Sequence, residues 1–195
     1  MKKIGRKIYH LCGGLGLLAL YVKLGPEVGL LALLGITVFA TSLDLARLAV
    51  PAVNAFFYKY FPKFIRDNER DRLTGSPWYL LGVTCALAFF SLPVAVYAVC
   101  FLACGDVAAT TVGERWGRTR LSGGKSIEGT AAFFAAAFAA GLVIDAFFYP
   151  MSPAIFIAGA AVAAIVEIQP LRLNDNLTIP LVAGAVMQFL VLAGL

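Results

Sequence analysis

The sequence predicts an all-α, polytopic integral membrane protein of about seven transmembrane helices, with the N-terminus in the cytoplasm and the C-terminus outside. Three observations carry that prediction. First, 61% of the 195 residues are hydrophobic and only 14% are charged, where a soluble domain carries about 25% charged residues; the mean hydropathy is +0.85. Second, the apolar residues form long uncharged runs at 8–22, 28–43, 73–105, 129–144, 146–166 and 176–195, and a helix needs about 20 apolar residues to cross a bilayer. Third, the basic residues gather in alternate connections between those runs. This composition excludes a soluble globular domain, a disordered chain and a secreted disulfide scaffold. A net charge of +5 in so apolar a chain suits the inner face of a membrane, not a nucleic-acid groove.

Lys2, Lys3, Arg6 and Lys7 precede the first run as they would in a signal peptide. No small-x-small cleavage site follows, so 8–24 reads as the first span. The second is 27–48. The run 73–105 is too long for one crossing and Pro93 divides it, giving spans at 77–92 and 93–113, the latter continuing past Asp106 to Gly113. The remaining spans are 129–148, 153–168 and 177–195. The fifth and sixth are rich in Ala and Gly, which permits close helix packing. With no internal repeat and no low-complexity linker, residues 1–195 read as a single domain. Cys12, Cys85, Cys100 and Cys104 all lie in apolar stretches without a C-x-x-C pair. They are expected to be small, buried, reduced side chains.

Four basic residues lie in the N-terminal tail and five, Lys59, Lys63, Arg66, Arg70 and Arg72, between the second and third spans. Arg115, Arg118, Arg120 and Lys125 lie between the fourth and fifth, Arg172 between the sixth and seventh, and Arg47 closes the inner end of the second. Only Lys23 falls on the other side. The positive-inside rule therefore sets the orientation stated above, and every sizeable polar segment faces the cytoplasm.

The chemistry concentrates in those polar segments. In Gly105-Asp106 through Gly117, the residues Asp106, Ala109, Gly113 and Gly117 recur every three or four positions and line one helical face. The glycines alone describe a small-xxx-small packing seam. Asp106 does not fit that reading, because an acid within an apolar run is costly and by default functional. Gly123-Gly124-Lys125-Ser126 lacks the spacing of a Walker motif. A glycine-rich turn still frees backbone N–H groups, and Lys125 adds a point charge for phosphate. Arg115, Arg118 and Arg120 make this loop strongly cationic, as positive-inside anchoring or as part of an anion site. Glu167 ends the sixth span, and Asp175 and Asn176 begin the seventh as a helix cap, with Pro180 breaking its first turn. Asp106, Glu128, Glu167 and Asp175 thus stand at the cytoplasmic ends of different spans, and together would offer hard oxygen ligands to Mg²⁺. Asp44 and Arg47, three apart, are placed for an intrahelical ion pair. His10 lies at an interface, where a lone histidine is usually structural. Trp78 is placed as an interfacial anchor.

Five segments, Arg6-Lys7-x-x-His10, Arg72-x-Thr74-Gly75-x-x-Trp78, Gly105-Asp106-x-x-Ala109-x-x-x-Gly113-x-x-x-Gly117, Lys125-Ser126-x-Glu128-Gly129 and Asp175-Asn176-Leu177-x-Ile179-Pro180, run in order along nearly the whole chain. In this set and order they resemble the CTP-dependent polyprenol kinases: dolichol kinase, phytol kinase and the CTP-dependent diacylglycerol kinase. One departure is Gly124, where many relatives carry a second basic residue. The resemblance implies transfer of the CTP γ-phosphate to a lipid alcohol, with Mg²⁺; the charge asymmetry puts that site at the cytoplasmic face, with the cell inner membrane as the expected location. It implies that Asp106, Gly113, Gly117, Lys125, Ser126 and Glu128 belong to the nucleotide site, joined at motif or loop positions by Arg115, Arg118, Arg120, Gly124, Gly129 and Asn176. In the chemistry it implies, Asp106, with Glu128 or Asp175, holds Mg²⁺; Lys125 and an arginine of 115–120 neutralise charge developing in transfer. Asp175 or Asp106 orients the lipid hydroxyl, with His10 behind them.

Two rival functions stand beside this one. Membrane cytidylyltransferases that make CDP-diacylglycerol share a similar Asp…Gly…Lys-[Ser/Thr]-x-Glu-Gly arrangement, but their acidic C-terminal signature is missing here. A small transporter would use Asp106 and Glu167 in an ion path, yet there is no inverted-repeat symmetry of matching broken helices. The acceptor is left open among phytol, geranylgeraniol, a long polyprenol and diacylglycerol.

Overall fold

The structure, a computed structural model, describes residues 2–61, 69–121, 124–169 and 173–195, without the side chains of residues 2–4 and Arg6. Among the described residues the chain is all-helical, with eight helices: α1 (Lys2–Leu24), α2 (Pro26–Ala49), α3 (Pro51–Tyr60), α4 (Gly75–Phe89), α5 (Leu92–Trp116), α6 (Ile127–Phe147), α7 (Pro153–Ile168) and α8 (Asp175–Leu192). Among the described residues the one β-type feature is an isolated bridge between Arg120 and Ser126. Four helices, α2, α5, α6 and α8, are long and apolar enough to cross a membrane, while α4 and α7 are shorter apolar helices. With the composition, they make this an all-α integral membrane protein.

Each expected span has a helix, and the ends differ for physical reasons. The helix expected at 8–24 begins at Lys2 and the one expected at 93–113 runs to Trp116. Hydropathy marks where charge begins, whereas the backbone ladder continues into charged residues at the membrane surface. Helix α3 was not expected; Pro51 at its first position presets φ for a new start, and its ten residues are too few for a span. Its aromatic residues cluster, with the Phe56 and Tyr60 ring centroids 4.7 Å apart. Pro180 does not break α8, which runs through it; a proline near a helix start forfeits few ladder bonds. The expectation that all four cysteines are buried holds only at Cys100: Cys85 and Cys104 are half-buried and Cys12 is exposed, and none is disulfide-bonded.

The chain divides into two compact units, residues 1–84 and 85–195. In the first, α1 and α2 are joined by Gly25 alone, in the left-handed conformation at φ +80°. Tyr79 of α4 donates to the His10 backbone carbonyl of α1 at 2.5 Å, and the Thr37 and Thr84 hydroxyls meet at 3.0 Å between α2 and α4. At the end of α2 lies a polar hub. Arg47, wholly buried, donates to Asp44 Oδ1 at 2.7 Å, Asn54 Oδ1 at 3.2 Å, and the carbonyls of Arg70 at 3.2 Å and Arg72 at 2.7 Å. Asp44 Oδ2 accepts from the Thr74 amide at 2.6 Å. The expected Asp44–Arg47 pair is present, and it also pins the segment 70–74 to α2. A buried charge is tolerated only with such full satisfaction.

In the second unit α5 is the central helix, packing on α6, α7 and α8. Its residues 94–103 are all buried. Exposed apolar side chains on the surrounding helices, such as Phe147 and Phe189, are what a bilayer covers.

Candidate active site

The site is built where α5 hands over to α6. Helix α5 ends at Trp116, and the chain returns through a tight loop to Ser126, which caps α6 by accepting from the Gly129 amide at 3.1 Å. Within the described part of that loop, Leu121 N–H donates to the Lys125 carbonyl at 2.8 Å, and Gly124 takes φ +81°. Arg120 is a staple: its guanidinium donates to the Gly113 carbonyl at 2.8 Å and the Gly124 carbonyl at 3.1 Å. The Glu128 carboxylate accepts from the Thr119 amide at 3.1 Å. Arg115 and Arg118 are exposed, Arg115 lying 6.0 Å from the Trp116 ring centre.

The small face of α5 is filled by α6. A Cβ on Gly113 would lie 3.2 Å from Ser126 Oγ, one on Gly117 2.7 Å from the same atom, and one on Gly129 3.0 Å from the Ala109 carbonyl oxygen. Gly113, Gly117, Ser126 and Gly129 therefore form the close crossing of the two helices, as a small-residue seam does. That crossing fixes where Lys125, the residue before the cap, can reach.

Lys125 reaches across to α7 and α8. Its ammonium donates to Asp175 Oδ2 at 2.6 Å and to the Glu167 backbone carbonyl, and lies 3.8 Å from Glu167 Oε1. The Thr130 hydroxyl of α6 donates to Glu167 Oε2 at 2.9 Å. The charges of Asp106 and Asp175 both act on the Glu167 carboxylate. Four segments, the loop before α6 and helices α6, α7 and α8, thus contribute one half-buried cluster of two acids, a lysine and a hydroxyl, with the Asp106 charge acting on it from α5. An ion pair as open as Lys125–Asp175, with Asp175 36% exposed, contributes about 1 kcal/mol at most to stability, so folding alone is a weak reason for it.

Of the residues singled out from sequence, Lys125 and Asp175 come together with Glu167, and Asp106 reaches them only through its charge. Glu128 is engaged with Thr119 instead. The cap of α8 is Asn174, whose side chain accepts from the Asn176 amide at 3.0 Å; this corrects the assignment of the cap to Asp175 and Asn176 and leaves the Asp175 carboxylate to Lys125. Asn176 is buried. His10 belongs to the first unit, buried with its ring 4.5 Å from that of Tyr79. Gly123, Lys63, Arg66 and Arg172 and the Arg6 side chain lie outside the described residues. Thr130 was missed from sequence, although its place four residues after Ser126 puts both on one face of α6. Among the described residues no three acidic, histidine or cysteine side chains are arranged to hold a metal ion. The carboxylates of Asp106, Glu167 and Asp175 still suit Mg²⁺ chemically, because that ion takes only one or two protein carboxylates beside substrate phosphates.

A model of the cytidylyltransferase family matches residues 15–169. The chain is 36% identical to a CTP-dependent diacylglycerol kinase 1 of Eremothecium gossypii, over 75% of this chain and 46% of that one. It is 27% identical to the protein of the same name in Saccharomyces cerevisiae, over 95% of this chain and 72% of that one. To a chloroplastic farnesol kinase of Arabidopsis thaliana it is 30% identical, over 60% and 43%. The chain spans about half the length of the first of these relatives. No solved structure matches it.

Proposed function

The chain belongs to the cytidylyltransferase family, its kinship being with the CTP-dependent polyprenol kinases, and from that premise we propose that it transfers the γ-phosphate of CTP to the hydroxyl of a membrane lipid alcohol. The observation that carries the reading is the convergence of Lys125 with Asp175 and Glu167, with the Asp106 charge in reach. In the transfer, the lipid oxygen bonds to the γ-phosphorus, the bond to the β-phosphate bridging oxygen breaks, CDP leaves, and the hydroxyl proton passes to a carboxylate. Such a reaction asks the protein for positioning and charge, not covalent chemistry. Lys125 neutralises the phosphate oxygens, Asp175 orients the hydroxyl and takes its proton, and Arg115 and Arg118 supply further positive charge at the loop. Asp106 and Asp175 would hold Mg²⁺, which when bound shields the charge between the β- and γ-phosphates. Gly113, Gly117, Ser126 and Gly129 hold α5 and α6 close enough for Lys125 to reach the acids, while Thr130 fixes Glu167.

The proposal extends to topology. Helices α1, α2, α4, α5, α6, α7 and α8 make seven crossings, with the N-terminus and the site on the cytoplasmic side of the cell inner membrane. The asymmetry of basic residues supports this. The two units work as one kinase domain, a reading supported by a family match that runs across both.

The family description favours one second reading, cytidylyl transfer to a phospholipid acid with release of pyrophosphate. Purified protein in lipid vesicles with Mg²⁺ separates the two. With CTP labelled at the γ-phosphate, the kinase moves label into lipid; with CTP labelled at the α-phosphate, only the cytidylyltransferase does. Label in lipid from the α-position alone would overturn the kinase assignment.

A further inference from the structure

The first unit holds two adjoining hollows. The larger, about 360 Å³, lies between α2 and α4, with Thr37, Val38 and Thr41 on one wall and Pro77, Trp78 and Leu81 on the other. Its volume is at the small end of ligand pockets. The threonines do not make it polar. Thr37 donates to the Leu33 carbonyl at 2.8 Å and Thr41 to the Thr37 carbonyl at 2.7 Å, so both hydroxyls are engaged within α2. What remains for an occupant is hydrocarbon, the indole of Trp78 and the exposed Ser42. The smaller hollow, about 200 Å³, shares Pro77 with the larger and is lined by Asp44, Thr74 and Ser76 among others. Among the described residues its lining has a carboxylate and two hydroxyl-bearing residues but no cation. The Asp44 carboxylate is already matched by Arg47, whose guanidinium is spent on Asp44, Asn54 and the carbonyls of Arg70 and Arg72, so a phosphodiester headgroup would find no uncommitted positive charge among these residues, whereas a neutral hydroxyl can hydrogen-bond.

We propose that these hollows seat the lipid alcohol before transfer, its tail in the larger and its hydroxyl-bearing head toward the smaller, from which the hydroxyl must leave to reach Asp175. This rests on the phosphotransfer reading for the identity of the occupant, and on the shape and polarity of the first unit for its place. It assigns acceptor selection, neutral alcohol over bulk phospholipid, to α2 and α4.

The full-length Trp116→Phe protein in phosphatidylcholine nanodiscs keeps Trp78 as its one tryptophan. Brominated diacylglycerol, a brominated prenol and brominated phosphatidylcholine are added in turn, and Trp78 fluorescence is read. Saturable quenching at low mole fraction by either alcohol, with only a gradual linear response to phosphatidylcholine, is expected. Ser42→Phe puts a ring at an exposed residue that lines the larger hollow and should obstruct it. It should remove the saturable component and raise KM for lipid several-fold, with KM for CTP and the thermal midpoint unchanged. Equal linear quenching by all three lipids, or saturable quenching that survives Ser42→Phe, would overturn the proposal. Quenching is read without nucleotide, so loss of the kinase reading and loss of this seat are separate results.

Discussion

Lys125 Nζ lies 2.6 Å from Asp175 Oδ2 across fifty residues of sequence. The lysine precedes α6 and the acid opens α8, so the contact forms only when the loop after α5 and the turn after α7 are both in place. Lys125→Ala and Asp106→Asn should therefore each lower lipid phosphorylation by about 10²-fold or more. The fold should survive, because the Lys125 pair is worth about 1 kcal/mol at most. Purified variants are assayed with γ-labelled CTP beside a thermal unfolding curve; near-normal activity would remove that residue from the mechanism.

Thr130 and Glu167 give a finer test. The Thr130 hydroxyl holds Glu167 Oε2 at 2.9 Å, and the Glu167 carboxylate already has Lys125 beside it. Thr130→Val keeps the shape and removes the bond, so kcat should fall while the thermal midpoint moves little, the loss being about 1 kcal/mol. Thr130→Ser should restore the rate. A serine variant as slow as the valine one would show that the hydroxyl is not what matters.

The seam between α5 and α6 makes a prediction about stability. An added methyl at Gly113 would sit 3.2 Å from Ser126 Oγ and one at Gly129 3.0 Å from the Ala109 carbonyl. The hydroxyl can shift and the backbone cannot. Gly129→Ala should therefore cost more than Gly113→Ala, within the range of about 1–3 kcal/mol for overpacking. Ser126→Ala alone loses a cap, about 1 kcal/mol. Combined with Gly113→Ala it should cost less than the sum, because it removes the crowded atom. Unfolding midpoints of the four variants in one detergent decide this; additive losses would refute the crowding.

Much of this was legible in the sequence because hydropathy and helix geometry are local properties. Uncharged runs and Pro93 located the apolar helices, and the i, i+3 spacing of Asp44 and Arg47 gave their ion pair. Convergence was not legible. That Glu128 would turn to Thr119 while Glu167 turned to Lys125 depends on how a loop folds back, which no spacing records. Arg120 read equally as a membrane anchor or part of an anion site, and its place as a staple between Gly113 and Gly124 was in neither reading, since backbone carbonyls left open near a helix end attract the nearest guanidinium. Helix α3 escaped because ten residues rich in aromatics match neither a span nor an evident amphipathic stripe.

The proposed function predicts metal dependence. Lys125 already sits against Asp175, so a divalent ion bound there would compete with the lysine for the same acid until triphosphate arrives to share both. The apoprotein should bind Mg²⁺ weakly and CTP should strengthen that binding, the coupling being reciprocal. Chelation with EDTA should abolish transfer and added Mg²⁺ restore it. Asp106→Glu should raise the Mg²⁺ concentration needed for half-maximal rate, because a longer side chain displaces a ligand that octahedral geometry places strictly. Titrating Mg²⁺ by calorimetry with and without CTP checks the coupling, and the rate against Mg²⁺ checks the ligand. Equal Mg²⁺ affinity in the presence and absence of CTP would show that these acids do not hold the ion.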